Sequence, residues 1–267
     1  MDDSSDIEPN SPADTRDVII RDDRTDFPSL LDAVKDRAAA GARVRLVDTG
    51  KFGLSQLEWL GEAGADIFTS DLALRESEDF ILMAKAAKKS GRHVAYLQNG
   101  PFDGGGQPKA VSFFALVEMA QSGIHVYVSD GRFARDSDAL EKLAFACRKG
   151  GARFVFYRHG ALELGLENLL RQGAWVHLPA AVVRTEADVL FLADGVRAAR
   201  AAGGGVLLHV EQVPEGTGLE ELFEAGAYLL FRTPPSDYRD PLRTLERRAK
   251  RRVSDPTTYY LHSEFML

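Results

Sequence analysis

Residues 205–233, GVLLHVEQVPEGTGLEELFEAGAYLLFRT, contain one complete structural unit: an apolar run, a glycine-bearing turn, an amphipathic segment, the small-residue turn Ala225-Gly226-Ala227 and a second apolar run. Continuous Val, Leu and Phe runs suit strands buried on both faces, as in a parallel sheet covered by helices; a half-exposed antiparallel strand would alternate instead. The unit recurs along the chain. Apolar runs predict strands at 44–47, 67–70, 94–97, 126–129, 154–157, 176–178, 206–210 and 228–231. Helical spacing predicts helices over 54–63, 76–90, 112–122, 138–149, 162–172, 186–202, 219–225 and 241–251. The strand starts lie roughly 22 to 32 residues apart, the length of one strand-plus-helix module.

Small residues precede the strands at Gly64-Ala65, Gly91, Gly123, Gly150-Gly151-Ala152, Gly173-Ala174, Gly203-Gly204-Gly205 and Gly226-Ala227. They read as helix ends followed by short turns back to the sheet. Eight such units predict a single (β/α)8 barrel, which pairs every strand edge and needs no polar edge strand. An open doubly wound sheet is the alternative. Residues 18–252 are assigned to the barrel, with Val18, Ile19 and Ile20 as a short edge segment or a cover for its bottom. Residues 27–40 form an extra helix outside the repeat, with Ser29 and Asp32 as a capping pair. Residues 1–17, polar and acidic, read as a disordered tail. Residues 253–267, with Tyr259, Tyr260, Phe265 and Leu267, form an apolar tail expected to pack on the barrel, on a second copy or on a protein partner.

Composition narrows the function classes. A chain of 267 residues with 45% hydrophobic content can bury one large core. A formal charge of -7 argues against general nucleic-acid binding, which needs a cationic surplus on one face. The basic run Arg247, Arg248, Lys250, Arg251 and Arg252 reads as a solvated helix end. Cys147 is the sole cysteine, so an internal disulfide is impossible, and it reads as a buried core residue. No run approaches the ~18 apolar residues of a membrane span. The acidic start does not resemble a secretory signal, and the expectation is a soluble cytoplasmic protein.

On these residues the chain resembles the (β/α)8, or TIM, barrel superfamily over 43–252. LEELFEAGA (219–227) with Tyr228–Phe231, and EAGAD (62–66), are similar to turns in the phosphate-binding barrels of tryptophan and histidine biosynthesis. The resemblance implies a phosphate grip after the last two strands. Here Arg232-Thr233-Pro234-Pro235-Ser236 follows the last strand, and two prolines donate no N–H to an anion, which leaves Gly216-Thr217-Gly218 to supply part of one.

In such barrels the site lies at the C-terminal strand ends. Those ends carry Asp48, Thr69, Asp71, Gln98, Asn99, Ser129, Asp130, Arg158, His159, His177, His209, Glu211 and Arg232. Asp48, followed by a loop that includes Lys51, is the candidate general base. Asp71 and Asp130 read equally as turn formers. His209 and Glu211, two apart on one strand, share a face as a candidate acid/base pair. Arg158 and Arg232, with Asn99, Asp130 and His159, are the candidate binders of a small anionic substrate. His177 reads as a core histidine, and His93 and His125 lie on the side associated with stability. A metal held by His209, Glu211, His159 and Asp48 lacks any characteristic spacing, so no metal or other cofactor is assigned. The loop 99–110, NGPFDGGGQPKA, reads as a lid or a passive connection and lacks a nucleotide-loop ending.

Two function readings follow. In the first, the barrel is an isomerase or lyase acting on a small anionic metabolite. In the second, it is a non-catalytic barrel that binds partners.

Overall fold

The computed structural model describes residues 18–98, 111–129, 137–160, 162, 165–211, 218–231 and 240–253. Among them the chain runs β1 (Val18–Arg21), α1 (Phe27–Ala39), β2 (Val44–Val47), α2 (Leu54–Ala63), β3 (Ala65–Ser70), α3 (Ser77–Lys89), β4 (Val94–Gln98), α4 (Phe113–Gln121) and β5 (His125–Ser129). It continues with α5 (Ser137–Gly150), β6 (Phe154–Tyr157), α6 (Gly165–Arg171), β7 (Trp175–Pro179), α7 (Glu186–Ala201), β8 (Gly205–Val210), α8 (Leu219–Ala225), β9 (Tyr228–Phe231) and α9 (Asp240–Val253). The tails 1–17 and 254–267, the lid segment 99–110 and the glycine turn at 216 and 217 lie outside the described residues.

The nine strands form one sheet in the order β1 to β9, each parallel to the next. An order with no reversal sends every right-handed crossover to the same side, so the helices cover one face only. A doubly wound sheet would reverse once. The helix-covered face carries the main core, in which Val44, Leu46, Ile67, Val126 and Val176 meet Leu57, Phe80, Leu116 and Leu192. The opposite face is buried as well, in a second cluster that contains strand residues alone, among them Phe68, Leu97, Tyr127, Tyr157, Trp175 and Leu207. A sheet buries that face with its own side chains only by curling round it.

The register gives the same result. The row of paired residues that starts at the last residue of β1, Arg21, passes through Val47, Phe68 and Ala95 to the first residue of β5, His125. A second row starts at the last residue of β5, Ser129, and passes through Tyr157, His177 and Leu207 to the first residue of β9, Tyr228. This stagger is the strand tilt that barrel closure requires. The architecture is the parallel (β/α) barrel expected from the sequence, and the doubly wound alternative does not apply.

The sheet holds one strand beyond the eight counted from apolar runs. Val18–Arg21 pairs along its length with Val44–Val47, so α1 is the crossover of the first unit and not an addition outside the repeat. The run was short because Arg21, Asp22 and Asp23 follow directly on Ile20. Its cap also differs from the expected pair: Asp26 accepts from the Ser29 amide at 3.0 Å and from the Ser29 hydroxyl at 2.9 Å. β1 and β9 are the two half-buried strands, and no ladder between them is among the pairings of the described residues.

Cys147 is buried in the helix-facing core, where burial pushes its thiol up to about 12. At the basic helix end, the Arg252 guanidinium donates to the carbonyls of Phe223 (2.6 Å) and Ala227 (2.9 Å) and lies 3.6 Å from the centre of the Phe223 ring. It thereby ties the last turn of α8 to the turn that leads into β9. No helix among the described residues is long and apolar enough to cross a membrane.

Trp175 fills the barrel interior because Gly205, its register partner, has no side chain: a Cβ there would sit 2.8 Å from the indole ring. Gly205→Ala should therefore cost about 1–3 kcal/mol in a urea unfolding series, the usual range for forcing extra carbon into a packed core.

Candidate functional site

Alternation along each strand decides which side chains enter the barrel. With Val176 and Leu178 facing the helices, Trp175 and His177 face inward; with Leu208 and Val210 facing the helices, Leu207 and His209 do. The register pairs His177 with Leu207 and Pro179 with His209, so the two histidines are diagonal neighbours on adjacent strands. Their Nδ1 (His177) and Nε2 (His209) atoms are 3.3 Å apart. They end a row of rings that crosses the interior: Phe68 to Tyr127 at 6.3 Å, Tyr127 to Tyr157 at 6.2 Å, Tyr157 to His177 at 4.6 Å and His177 to His209 at 5.5 Å.

His177 is 2% exposed, and its Nε2 is buried with no hydrogen-bond partner among the described residues. Burial, reinforced by the adjacent His209, holds its imidazole well below the ordinary histidine range. At neutral pH it is an uncharged ring that donates from one nitrogen and accepts at the other. His209 is half-buried and Glu211 exposed toward the C-terminal rim, while His209 Nδ1, the ring nitrogen not bonded to His177, is buried. His177 is thus the core histidine expected from its place in mid-strand, with the His209 ring as its neighbour.

Asp48 occupies a different corner. It continues the helix-facing parity of Val44 and Leu46, away from the interior, and is 4% exposed. Its Oδ1 accepts from the Gly50 amide at 3.0 Å and from an Arg75 NH2 group at 2.7 Å; its Oδ2 accepts from Thr69 Oγ1 and Arg75 Nε, both at 2.7 Å. Those bonds fill the four acceptor positions of a carboxylate, so none remains for a substrate proton. Arg75 also donates to the Phe52 carbonyl at 2.7 Å. Burial pulls the Arg75 guanidinium down, but the bond to Asp48 and its charge outweigh that and hold it above its usual value.

Leu74 has the left-handed backbone, φ 53°, and turns the chain so that Arg75 reaches back over Asp48. Such a conformation costs a non-glycine residue about 1–2 kcal/mol. In the same corner Asp22, fully buried at the end of β1, accepts from the Thr49 amide (3.0 Å) and hydroxyl (2.6 Å). Lys51 donates to the Thr25 carbonyl at 2.6 Å. Thr69 and Gln98 face the helices, Gln98 accepting from the Tyr96 hydroxyl at 2.9 Å.

Among the remaining expected residues, Arg158 is buried at the end of β6, where a Cβ on Gly160 would come 3.2 Å from its guanidinium. His159 is exposed beside it. Ser129 and Ser70 end β5 and β3 on the interior parity, and the Ser70 side chain accepts from the Leu72 amide at 3.2 Å. Asn99, Asp130 and Arg232 lie outside the described residues. Asp48 and His209 are thus not brought to one point. Among the described residues no group of three or more His, Cys, Asp or Glu side chains could hold a metal ion.

Sequence reading passed over Asp22, Arg75 and the partnership of His177 with His209. Asp22 had a visible signal, since VIIRDD repeats the pattern of VRLVD, an acid closing an apolar run. Arg75 had none, because its role depends on a left-handed turn.

No protein-family model matches the chain, and no curated protein matches it either. Among solved structures it is similar to deoxyribose phosphate aldolase from Aeropyrum pernix, at 15% identity and a TM-score of 0.33, covering 81% of this chain and 86% of that one. It is also similar to a truncated form of 3-deoxy-D-arabino-heptulosonate 7-phosphate synthase from Thermotoga maritima, at 15% identity and a TM-score of 0.34, covering 82% and 83%. Likeness at these scores carries no chemistry, and the barrel rests on its own ladder and register.

The corner and the pair make separate predictions. Arg75→Met leaves a buried, uncompensated Asp48 carboxylate and should cost about 3–5 kcal/mol in urea unfolding, whereas Leu74→Gly should stabilise by up to about 1 kcal/mol. Because His177 binds its proton more weakly folded than unfolded, stability is full above the unfolded value near 6.5 and falls as the pH drops below it, by about 1.4 kcal/mol per pH unit for one such group. His177→Phe should flatten that decline in unfolding curves measured between pH 7.5 and 5.5.

Proposed function

We propose that the barrel is an enzyme acting on a small anionic metabolite by acid/base chemistry, of isomerase or lyase type, at the C-terminal strand ends. The observation that carries the reading is the His177–His209 pair, a neutral buried imidazole 3.3 Å from a half-buried one at the mouth of the interior. Two linked imidazoles pass a proton: when His209 takes one from a substrate at Nδ1, the nitrogen not bonded to His177 and buried here, its bond to His177 supports the resulting charge. His209 is the catalytic residue in this proposal, and His177 positions it and selects its tautomer. Glu211, two residues further on the same parity, serves as the outer partner. Arg158, a buried guanidinium at the neighbouring strand end, with Arg232, His159, Asn99 and Asp130, would hold the anionic group of the substrate.

Asp48, first in line as a base by sequence, becomes in this reading the anchor that keeps Arg75 and the β2 and β3 ends in place. A second reading, a barrel that binds a partner without turnover, is favoured by Phe114 and Phe145. These are 84% and 52% exposed beside a groove of about 440 Å³ between α4 and α5.

Screening phosphorylated and carboxylated metabolites for thermal stabilisation, followed by turnover of the hits, separates the readings. On the enzyme reading, His209→Ala lowers kcat by 10²–10⁴-fold. His177→Ala shifts the acidic limb of the pH–rate profile, a readout that a purely structural role would not move. Stabilising hits without turnover, or turnover unchanged in His209→Ala, would overturn it.

A further inference from the structure

Helices α4 and α5 carry more apolar surface than the barrel uses. The core takes Leu116, Met119 and Ala120 from α4, and Leu140, Leu143, Ala144 and Cys147 from α5. Phe114 and Val117, three apart, form a second row on α4, and Phe145 stands outside the core row of α5. The two helices pack side by side, so these outer residues line one groove of about 440 Å³ together with Phe113, Ala146 and Gln172. Phe114 is 84% exposed, more than any other large apolar side chain among the described residues. Its ring is held edge-on to Phe113, with centroids 6.0 Å apart. Phe145 is 52% exposed, and the Arg148 guanidinium lies 5.6 Å from the centre of its ring.

The polar residues of the same groove are incomplete. Glu141 and Lys142 lie next to each other in its wall. Glu141 accepts from Asn168 Nδ2 at 2.9 Å, which fixes the carboxylate in place. Lys142 is exposed and makes no hydrogen bond or ion pair among the described residues. Gln172 Oε1 is buried with no hydrogen-bond donor. One face thus holds a projecting ring and a recess that fits a ring, an acid and a base, and an acceptor that lacks its donor. A site for an unrelated partner needs only one half of each contact. A face with both halves is self-complementary: about a two-fold axis, each residue meets on the other copy the group that its own counterpart meets here.

We propose that this groove is the contact between two copies of the chain, arranged as a two-fold dimer. Phe114 of each copy enters the recess beside Phe145 of the other, and Glu141 of each pairs with Lys142 of the other. The second copy also brings the polar donors that Gln172 lacks. The recess is small, so the association is reversible and depends on concentration. The proposal names an occupant for the groove of the partner-binding reading, and it is equally compatible with turnover at the His177–His209 pair, which lies inside the barrel.

Sedimentation equilibrium of the full chain over roughly a hundredfold range of concentration should show a reversible monomer–dimer equilibrium. Phe114→Glu should weaken dimerisation by about tenfold or more, the loss typical of an anchoring aromatic. Its urea midpoint should match the parent's at concentrations where both are monomeric, because the ring lies outside the core. Glu141→Lys and Lys142→Glu each set like charges against one another at both symmetry-related contacts, so each alone should dimerise about tenfold or more weakly than the parent. Mixed in equal amounts, the two variants should form a heterodimer, because every Glu141–Lys142 contact then holds opposite charges again. A role of these residues within a single chain would not give that reciprocal rescue. A parent that stays monomeric throughout leaves the groove to another protein or to an apolar ligand and overturns the proposal. A dimer as tight in Phe114→Glu as in the parent places the contact elsewhere and overturns it too. So does a mixture of the charge variants that associates no better than either alone.

Discussion

A parallel sheet whose strands follow one another in sequence order can cover only one face with its own crossovers, since every right-handed connection falls on the same side. The other face must still leave water. Here it does so by wrapping round itself, with Phe68, Tyr127, Tyr157 and Trp175 meeting in an interior cluster to which, among the described residues, strands alone contribute. The stagger from Arg21 to His125, and again from Ser129 to Tyr228, is the geometric expression of that wrapping. It carries strand ends that are far apart in sequence round to a common rim.

Wrapping also concentrates polar groups. The middle of the interior is aromatic and aliphatic, so inward-facing polar residues fall toward the two ends, where hydrogen-bond partners and water are within reach. At the C-terminal end this yields the His177–His209 pair. At the N-terminal end it yields Arg45, Asp66, His93 and His125. Each is a set of groups that burial alone would disfavour. Contacts between adjacent strands help to hold each.

The helices and strands were legible to within a few residues because apolar periodicity and glycine punctuation are local, and the local preference agrees with the fold throughout. β1 was the exception, its apolar run cut short by Arg21 and Asp22. The candidate site was legible only in part. That His209 faces the interior follows from strand parity, but its partner proved to be His177, 32 residues upstream, and not Glu211 alone. Asp48 had the right position along its strand and the wrong face, and Arg75 then closed every acceptor on it.

The sequence by itself determined the repeating strand–helix unit and the parallel pairing, because both follow from residue spacing, whereas the strand order decided that the sheet curls. Which charged groups meet was decided by the tertiary structure. Contact across neighbouring strands depends on register and parity together, and a slip of one residue sends a side chain to the opposite face. Asp48 and His209 end strands in the same relative place, yet one lies under helices and the other in the barrel. Only the assembled sheet distinguishes them.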